Sequence, residues 1–350
     1  MPELNWPTKI NLRKKILIMA QPAYRKYTLT GLPKGTDGYD RVAQKTLISS
    51  SKAYVLQVYD NASYSKLSMA DLPTDEKEDS NNTLDFSKYQ PMTLKGFGHG
   101  QTLELYTYNN TDYFWIGTKG VQTRLEKYKD NDFWGTQLGR MTFQEGMTYE
   151  SAEQLPNRLT YLTRIVGNTK STGSIERVEA ALTSDTKHLL ILTVNVDHSK
   201  ARLSMYSNKE LNDAFERTGG TVEMDTDGLS AFEGTAPISG NIYSQVHNGS
   251  IQGIDVSNKT KNGNYLVYIS GGQVKQTPSI TRATFNTNGT ISGLGNYQLL
   301  RNTYWPENRT ETEAVQIYSA TNLLVGIAYH DTSGHTSDNY VYRVAKNIFG

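Results

Sequence analysis

The chain has 350 residues with nearly balanced charge, 36 Lys and Arg against 35 Asp and Glu, so no global field favours nucleic acid or an anionic membrane surface. It has no cysteine, which excludes disulfides and cysteine-ligated metals. No stretch reaches the ~20 apolar residues of a membrane-spanning helix, and we expect no membrane span. The 23 Tyr and 29 Gly instead favour strands joined by tight turns.

A short apolar run, Ile16 to Ala20, follows three basic residues near the start of the chain. Five apolar residues are fewer than the ~7–15 of a signal peptide, so we interpret the run as a strand at about 14–20. No ordinary signal peptide is visible. A cysteine-free chain suits a bacterial cytosolic protein and, equally, a protein exported without oxidative folding.

A short motif recurs five times, at intervals of about 57 to 76 residues. Its first position is Gln or Glu, and its fourth is Glu, Asp or Gln in all copies but one. Turn residues then lead to a bulky apolar strand, as in Gly96–Lys119, where strand Leu103–Tyr108 precedes an Asn-Asn-Thr-Asp turn and a second strand. The five copies are Gln44-Lys-Thr-Leu47, Gln101-Thr-Leu-Glu104, Glu176-Arg-Val-Glu179, Gln252-Gly-Ile-Asp255 and Glu313-Ala-Val-Gln316.

A period above 50 residues with several short strands in each unit predicts an all-β, five-bladed β-propeller that occupies residues 1–350 as a single domain. The last unit offers only three strands, so the strand at 14–20 is predicted to complete it and to close the ring. The alternative is two unrelated β-domains with similar hairpins. The predicted blade cores are about 41–72, 96–144, 174–207, 245–286 and 311–346.

Three segments between the repeats carry their own signals. Ser207 and Glu210 form a capping-box pattern that predicts a short helix over Leu211–Arg217, ended by glycine. The acidic stretch Asp71–Asp85 is predicted to be a solvated loop, and Gly219–Gly240 is predicted to be irregular.

The repeated Gln and Glu are the first candidate site residues. The innermost strands of a propeller line its central channel, so the first positions are predicted to form a polar ring there. Residues three apart on a strand point to opposite faces unless a bulge intervenes, so the fourth positions pack between blades or the arrangement is reversed. The ring either is a hydrogen-bonded plug or holds a cation or small polar ligand. Its candidates are Gln44, Gln101, Glu176, Gln252 and Glu313 at the first positions, and Glu104, Glu179, Asp255 and Gln316 at the fourth.

Histidines are the second group of candidates. His99 is flanked by glycines that expose its imidazole at one mouth of the ring, where it could bind a ligand or act as a base, although a structural turn explains it too. His247, His330 and His335 could supply metal ligands, but nothing indicates that they converge. The segment Glu223–Gly228 echoes only the start of a calcium loop, since position 234 is glycine. We predict no metal and no cofactor.

Loop aromatics form the third group. Trp134 and Trp305 lie in predicted loops near Asn and Asp, a combination that suits sugars, which stack on rings and hydrogen-bond through their hydroxyls. Packing between blades is the alternative explanation for these side chains.

From Lys45 to the C-terminus the chain resembles the helveticin J family of large bacteriocins from lactic acid bacteria. That resemblance implies a heat-labile antibacterial protein that acts outside the producer on related Gram-positive cells, and it supplies no catalytic residues. The segments that carry it are Gly96–Glu104, Ser174–Ala180, Gln252–Asp255, Ile280–Phe285 and Glu313–Tyr318.

Three hypotheses follow for the function. The first is a secreted bacteriocin-like protein, cytoplasmic before export and monomeric, that binds a cell-envelope component such as a glycan. The second is a hydrolase or lyase that acts on wall polymers through His99 and the carboxylates of Glu176, Glu179 and Glu313. The third is a non-toxic scaffold that binds proteins or glycans. A growth-inhibition assay on related bacteria separates the third hypothesis from the others.

Overall fold

A computed structural model describes residues 20–75, 81–122, 133–165, 170–306 and 308–350. These residues form five large, mainly antiparallel sheets, one small two-stranded sheet and one α-helix. The innermost strands of neighbouring sheets contact each other in a closed cycle around an axis, from the first sheet to the fifth and back. The fold is therefore an all-β five-bladed propeller, as the repeat predicted.

Each blade has four main strands, in order from the axis outward. Blade 1 has Ala43–Ile48, Lys52–Tyr59, Tyr64–Asp71 and Met92–Lys95; blade 2 has Leu103–Tyr108, Thr111–Gln122, Phe133–Met141 and Arg158–Thr160; blade 3 has Ile175–Leu182, His188–Asn195, Lys200–Ser207 and Phe232–Ser239. Blade 4 has Gly253–Val256, Tyr265–Gly271, Ser279–Asn286 and Tyr297–Arg301; blade 5 has Thr310–Ile317, Asn322–His330, Thr336–Ala345 and Tyr24–Thr30. Two small additions are a hairpin of Arg164–Ile165 with Lys170–Ser171, and strand Thr290–Ser292 beside blade 4.

A strand from the N-terminal part of the chain closes the ring on the last blade, as predicted, but it begins later in the chain than the predicted strand. Tyr24–Thr30 pairs antiparallel with Thr336–Ala345 and so becomes the fourth strand of blade 5. The predicted strand at 14–20 lies outside the described residues except for Ala20. Tyr27 and Leu29 of the closing strand are buried, so closure is secured by packing as well as by the ladder.

Short parallel strands link each of four blades to the next. Each pairs with the outer strand of one blade but belongs to the chain segment of the neighbouring blade. Asn82–Asp85 pairs with blade 5, Thr148–Tyr149 with blade 1, Val222–Glu223 with blade 2, and Gln21–Pro22 with blade 4. We call these the link strands. They cover edges that would otherwise invite pairing with another chain.

The link strands correct two predictions. Asp71–Asp85 is not wholly a loop, because its last four residues form the link strand on blade 5. Gly219–Gly240 is not irregular, because it holds a link strand and the outer strand of blade 3. Strands of two to four residues are too short to show an alternating pattern, and it is their neighbours that hold them in place.

The predicted helix is confirmed and is longer than expected, Asn208–Thr218. The Ser207 Oγ accepts a hydrogen bond from the Glu210 N–H at 3.3 Å, and Gly219 ends the helix with φ of 72°. Its buried face includes Leu211 and Phe215, which pack in the core between blades 2 and 3.

The hydrophobic core is divided into five clusters, one at each junction between blades. Each blade buries both faces against its neighbours, which explains the bulky apolar second strands of the repeat. Each cluster has members from both of its blades, for example Leu56 and Phe114, Trp115 and Val178, Leu192 and Val267, Ile280 and Val325, and Tyr27 and Val55.

Candidate functional site: the axial channel and its upper mouth

The strand ladder is irregular at the first motif position in three of the five blades. The ladder between the first two strands of a blade skips Gln44 in blade 1 and Glu176 in blade 3, and it shifts at Glu313 in blade 5. A bulge re-aims the side chain of the extra residue. The next residues, Lys45 and Arg177, are also buried, with 1% and 2% of their surfaces exposed.

Four of the five first positions meet at the axis, around one amide. The Nε2 of Gln101 lies 3.4 Å from the Gln44 Oε1, 3.1 Å from the Gln252 Oε1 and 3.0 Å from the Glu313 Oε2. The Arg177 guanidinium donates to the Gln101 Oε1 from the other side. Glu176 turns away and bonds the Nε2 of His198.

A stack of rings and a guanidinium lies beside this cluster. His99 stacks on Trp134 with centroids 4.4 Å apart, and the Arg177 guanidinium lies 3.8 Å from the Trp134 centroid. The His99 Nε2 is 2.6 Å from the Gln44 Oε1. Glycine is required at position 98, because φ of Gly98 is 87° and a Cβ would lie 2.4 Å from the Phe133 carbonyl oxygen.

A buried ammonium group fills the next level of the channel. The Lys45 Nζ donates to the Glu104 Oε1 at 2.9 Å and lies 3.5 Å from the carbonyl oxygens of Ile254 and Val315. Burial opposes its charge, but the carboxylates of Glu104 and Asp255 outweigh burial and raise the Lys45 pKa. Burial, and then repulsion from Glu104, raises the pKa of Asp255 to about 7.

The fourth motif positions join neighbouring blades. Gln316 accepts from the Ile48 N–H at 2.9 Å and donates to its carbonyl at 2.8 Å, which ties blade 5 to blade 1. Asp255 accepts from the Ile317 N–H and so ties blade 4 to blade 5. Glu179 accepts from the Thr102 Oγ1 at 2.7 Å, which ties blade 3 to blade 2. These side chains stabilise the ring.

An open pocket of about 680 Å³ lies at the end of the channel where the innermost strands begin; we call it the upper pocket. Gln44 and His99 line its inner side, and blades 1 and 5 supply its walls. Its other polar and aromatic lining residues are Tyr39, Asp40, Arg41, Tyr59, Asp60, Asn61, His335 and Thr336. Sequence reasoning missed this pocket, because the repeat does not include the segment at 39–41.

The turn at Asp60, Asn61 and Ala62 is a strained wall of the upper pocket. All three have positive φ, at 47°, 53° and 61°. Each left-handed residue other than glycine costs on the order of 1–3 kcal/mol, and such residues cluster at functional sites. Asp60, Asn61 and Ala62 all line the upper pocket.

A histidine braces the opposite wall. The His330 Nε2 is 3.0 Å from the Glu311 Oε2, and its Nδ1 is 3.3 Å from the Gly334 carbonyl oxygen. Both partners are acceptors, so the arrangement favours an imidazolium that donates twice. The hydrogen bond to Glu311 raises the His330 pKa against the effect of burial.

The brace predicts a pH dependence of stability. Because the pKa of His330 is higher in the folded than in the unfolded protein, its protonated form stabilises the fold. This stabilisation is complete below the ordinary histidine pKa of about 6.5 and is lost as the pH rises through the raised pKa. We expect Glu311→Gln to lower the free energy of unfolding by about 1 kcal/mol at pH 6 and by much less at pH 9, as measured by urea denaturation. An equal loss at both pH values would contradict an imidazolium brace.

The remaining candidates lie apart. Trp305 packs edge-on against Tyr342 in the core between blades 4 and 5, with centroids 5.5 Å apart, in agreement with the packing alternative. His247 stacks on Tyr297, and His335 stacks on Tyr39. Within the described ranges, no group of three or more His, Asp or Glu side chains could hold a metal ion.

Sequence reasoning also missed the cations of the channel. Lys45 and Arg177 occupy the second motif position of two copies, and both bind carboxylates at the axis. An ideal strand places the first and second positions on opposite faces. The bulges at Gln44 and Glu176 interrupt this alternation just before Lys45 and Arg177. A charged residue in an otherwise apolar strand was the available signal.

Comparison with known proteins places the chain in a family. The model of the bacteriocin helveticin-J family matches residues 23–347, which is nearly the whole chain. This propeller therefore belongs to the helveticin J family of bacteriocins. A search of curated proteins found no match.

Solved structures with similar folds are distant in sequence. A GH43 endo-arabinanase from Bacillus licheniformis has 10% identity and a TM-score of 0.43, over 89% of this chain and 95% of that chain. An α-L-arabinofuranosidase from Lactobacillus brevis has 7% identity and a TM-score of 0.44, over 89% and 94%. A GH62 hydrolase in complex with xylotriose has 8% identity and a TM-score of 0.43, over 93% and 98%. These likenesses are too remote to transfer an activity.

The described part of the chain holds no helix that is long and apolar enough to cross a membrane.

Proposed function

We propose that this protein is a secreted antibacterial protein that acts on related Gram-positive cells by binding a glycan of their envelope in the upper pocket. Its membership of the bacteriocin family supports the antibacterial part. The observation that carries the glycan part is the upper pocket, which combines an aromatic platform with polar groups on a strained turn.

Tyr39 provides that platform. Its ring lies flat on His335, with centroids 3.6 Å apart and an interplanar angle of 1°, and 43% of the residue is exposed. A fixed, exposed ring suits the apolar face of a sugar. Asp40, Asp60 and Asn61 supply the hydrogen-bonding groups that hydroxyls require.

The hydrolase hypothesis has less support from the geometry. Glu179 and Glu313 are almost fully buried and are engaged with Arg177 and Gln101, and Glu176 is paired with His198. A general acid or base must reach the substrate, and none of these three carboxylates lines the upper pocket.

Retention on purified cell walls tests the proposal. We expect Tyr39→Ala to weaken wall binding about tenfold, equivalent to about 1.4 kcal/mol, because it removes the stacking surface. Growth inhibition of related bacteria should fall in parallel. Tyr304→Ala is the matched control, because Tyr304 is 80% exposed and lies outside the upper pocket.

A second variant separates binding from folding. Asn61→Gly removes an amide from the upper pocket but suits the left-handed backbone at φ of 53°, so the fold should not lose stability. If the wild type binds walls and neither Tyr39→Ala nor Asn61→Gly weakens that binding, the upper pocket is not the site. No wall retention and no growth inhibition by the wild type would end the whole proposal.

A further inference from the structure

A second pocket lies at the other end of the channel, where the innermost strands end. We call it the lower pocket; its volume is about 870 Å³. The turns that follow the first strands of blades 1, 3, 4 and 5 form its rim, and Glu104, Asp255 and Gln316 lie at its inner end. We propose that the lower pocket is a second saccharide site, which makes one molecule bivalent; this rests on the proposed glycan binding.

The two pockets are separate sites because side chains fill the channel between them. Toward the upper end, the Gln101 amide joins Gln44, Gln252 and Glu313. Below it, the buried Lys45 ammonium joins Glu104 to blades 4 and 5. A single ligand therefore cannot extend from one pocket into the other.

The chemistry of the rim suits a ligand rich in hydroxyl groups. Ser50, Ser184 and Thr260 contribute hydroxyls from three blades, and Lys346 lies on the same rim. The Lys346 Nζ donates to the carbonyl oxygens of Ser319 at 2.7 Å and Ala320 at 3.4 Å. These bonds stabilise the turn at Ser319 and Ala320. Tyr318 is 38% exposed and offers an aromatic wall.

The charges at the inner end argue against ions. The Asp255 oxygens accept from the N–H groups of Val256 and Ile317, and a Glu104 oxygen accepts from Lys45, so these groups are already bonded to the protein. A cation would find these oxygens engaged, and an anion would find the Lys45 ammonium already paired with Glu104, so an ion of either sign gains no free partner there. Neutral hydroxyls avoid both difficulties.

Bivalency changes what the protein can do to a wall. The pockets lie at opposite ends of the axis, so each can hold a different polymer strand. Two linked sites raise the effective affinity for a polyvalent surface well above that of either one, provided that the geometry allows both to engage. The protein would then also cross-link wall fragments.

Calorimetric titration tests the second site. The probe is soluble glycan released by a muramidase from purified walls of a susceptible strain. We expect the wild type to bind two equivalents of glycan per protein and Ser184→Trp to bind one. Ser184 is exposed on the rim of the lower pocket, so the tryptophan side chain would fill that pocket. Tyr318→Ala, an independent variant, should weaken one of the two sites about tenfold. Ser292→Trp is the matched control, because Ser292 is exposed and lines neither pocket.

Light scattering of wall fragments provides a second readout. The wild type should aggregate the fragments, whereas Ser184→Trp and Asn61→Gly should each bind them without aggregation. One equivalent for the wild type, unchanged in Ser184→Trp, would overturn the second site and leave the upper pocket standing. If the wild type binds one equivalent of glycan and only Ser184→Trp abolishes that binding, the lower pocket is supported and the upper pocket is overturned. Binding of neither soluble glycan nor walls would reject both proposals.

Discussion

Replacing Lys45 by methionine is expected to lower the free energy of unfolding by about 3–5 kcal/mol. The Lys45 ammonium is the cation that compensates the buried carboxylates of Glu104 and Asp255, and methionine fills a similar volume without the charge. The variant leaves Glu104 with an uncompensated charge or forces it to take up a proton. Urea denaturation followed by circular dichroism measures the change at pH 8.

A double variant separates charge from packing. If the loss arises from an unpaired carboxylate, Lys45→Met with Glu104→Gln should recover a large part of it. At pH 5 the single variant should lose less than at pH 8, since protonation then neutralises the carboxylates. If the loss of stability in the double variant equals the sum of the losses in the two single variants, Lys45 acts through packing alone.

Replacing Thr28 by proline is expected to destabilise the protein by about 3 kcal/mol or more and to promote association. Thr28 lies in the closing strand, which pairs with Tyr340 on one side and with Thr83 on the other. Proline has no N–H to donate and is tolerated only at sheet edges. An unclosed blade 5 would also present an unpaired edge to other molecules.

Thr28→Val is the control for this closure, because it retains a β-branched side chain and the backbone N–H. Its Oγ1 bond to Asn81 at 2.9 Å is exposed, so its loss should cost little. Urea denaturation and size-exclusion chromatography measure the two effects. A proline variant that is as stable as Thr28→Val and no more associated would show that the strand is dispensable.

The ring could be predicted from the sequence because each copy of the repeat has the residue pattern of one blade. A polar residue at the axis, a turn and a bulky apolar strand recur five times, and each unit must bury both faces. The closing strand was misplaced by a few residues because Lys15–Met19 and Tyr24–Thr30 are both short strand-like runs with several apolar side chains. Only pairing with Thr336–Ala345 selects between them, and pairing is not a local property.

The candidate site was predicted in part. The convergence of Gln44, Gln101, Gln252 and Glu313 followed from the motif, because repeated positions occupy equivalent places. The divergence of Glu176 toward His198 did not, since His198 lies in a turn outside the motif. The two pockets were also missed, because loops of different blades form them and the sequence does not show which loops meet.

The link strands make the outer rim of the propeller a shared structure. Asn82–Asp85 is held by blade 5 although it precedes the outer strand of blade 1, and Thr148–Tyr149 is held by blade 1 although it precedes the outer strand of blade 2. A blade that opens therefore withdraws a strand from its neighbour and uncovers an edge there. Partial opening is costly for this reason, and the low-energy fluctuations common in repeat proteins should be suppressed in favour of cooperative loss of the whole ring.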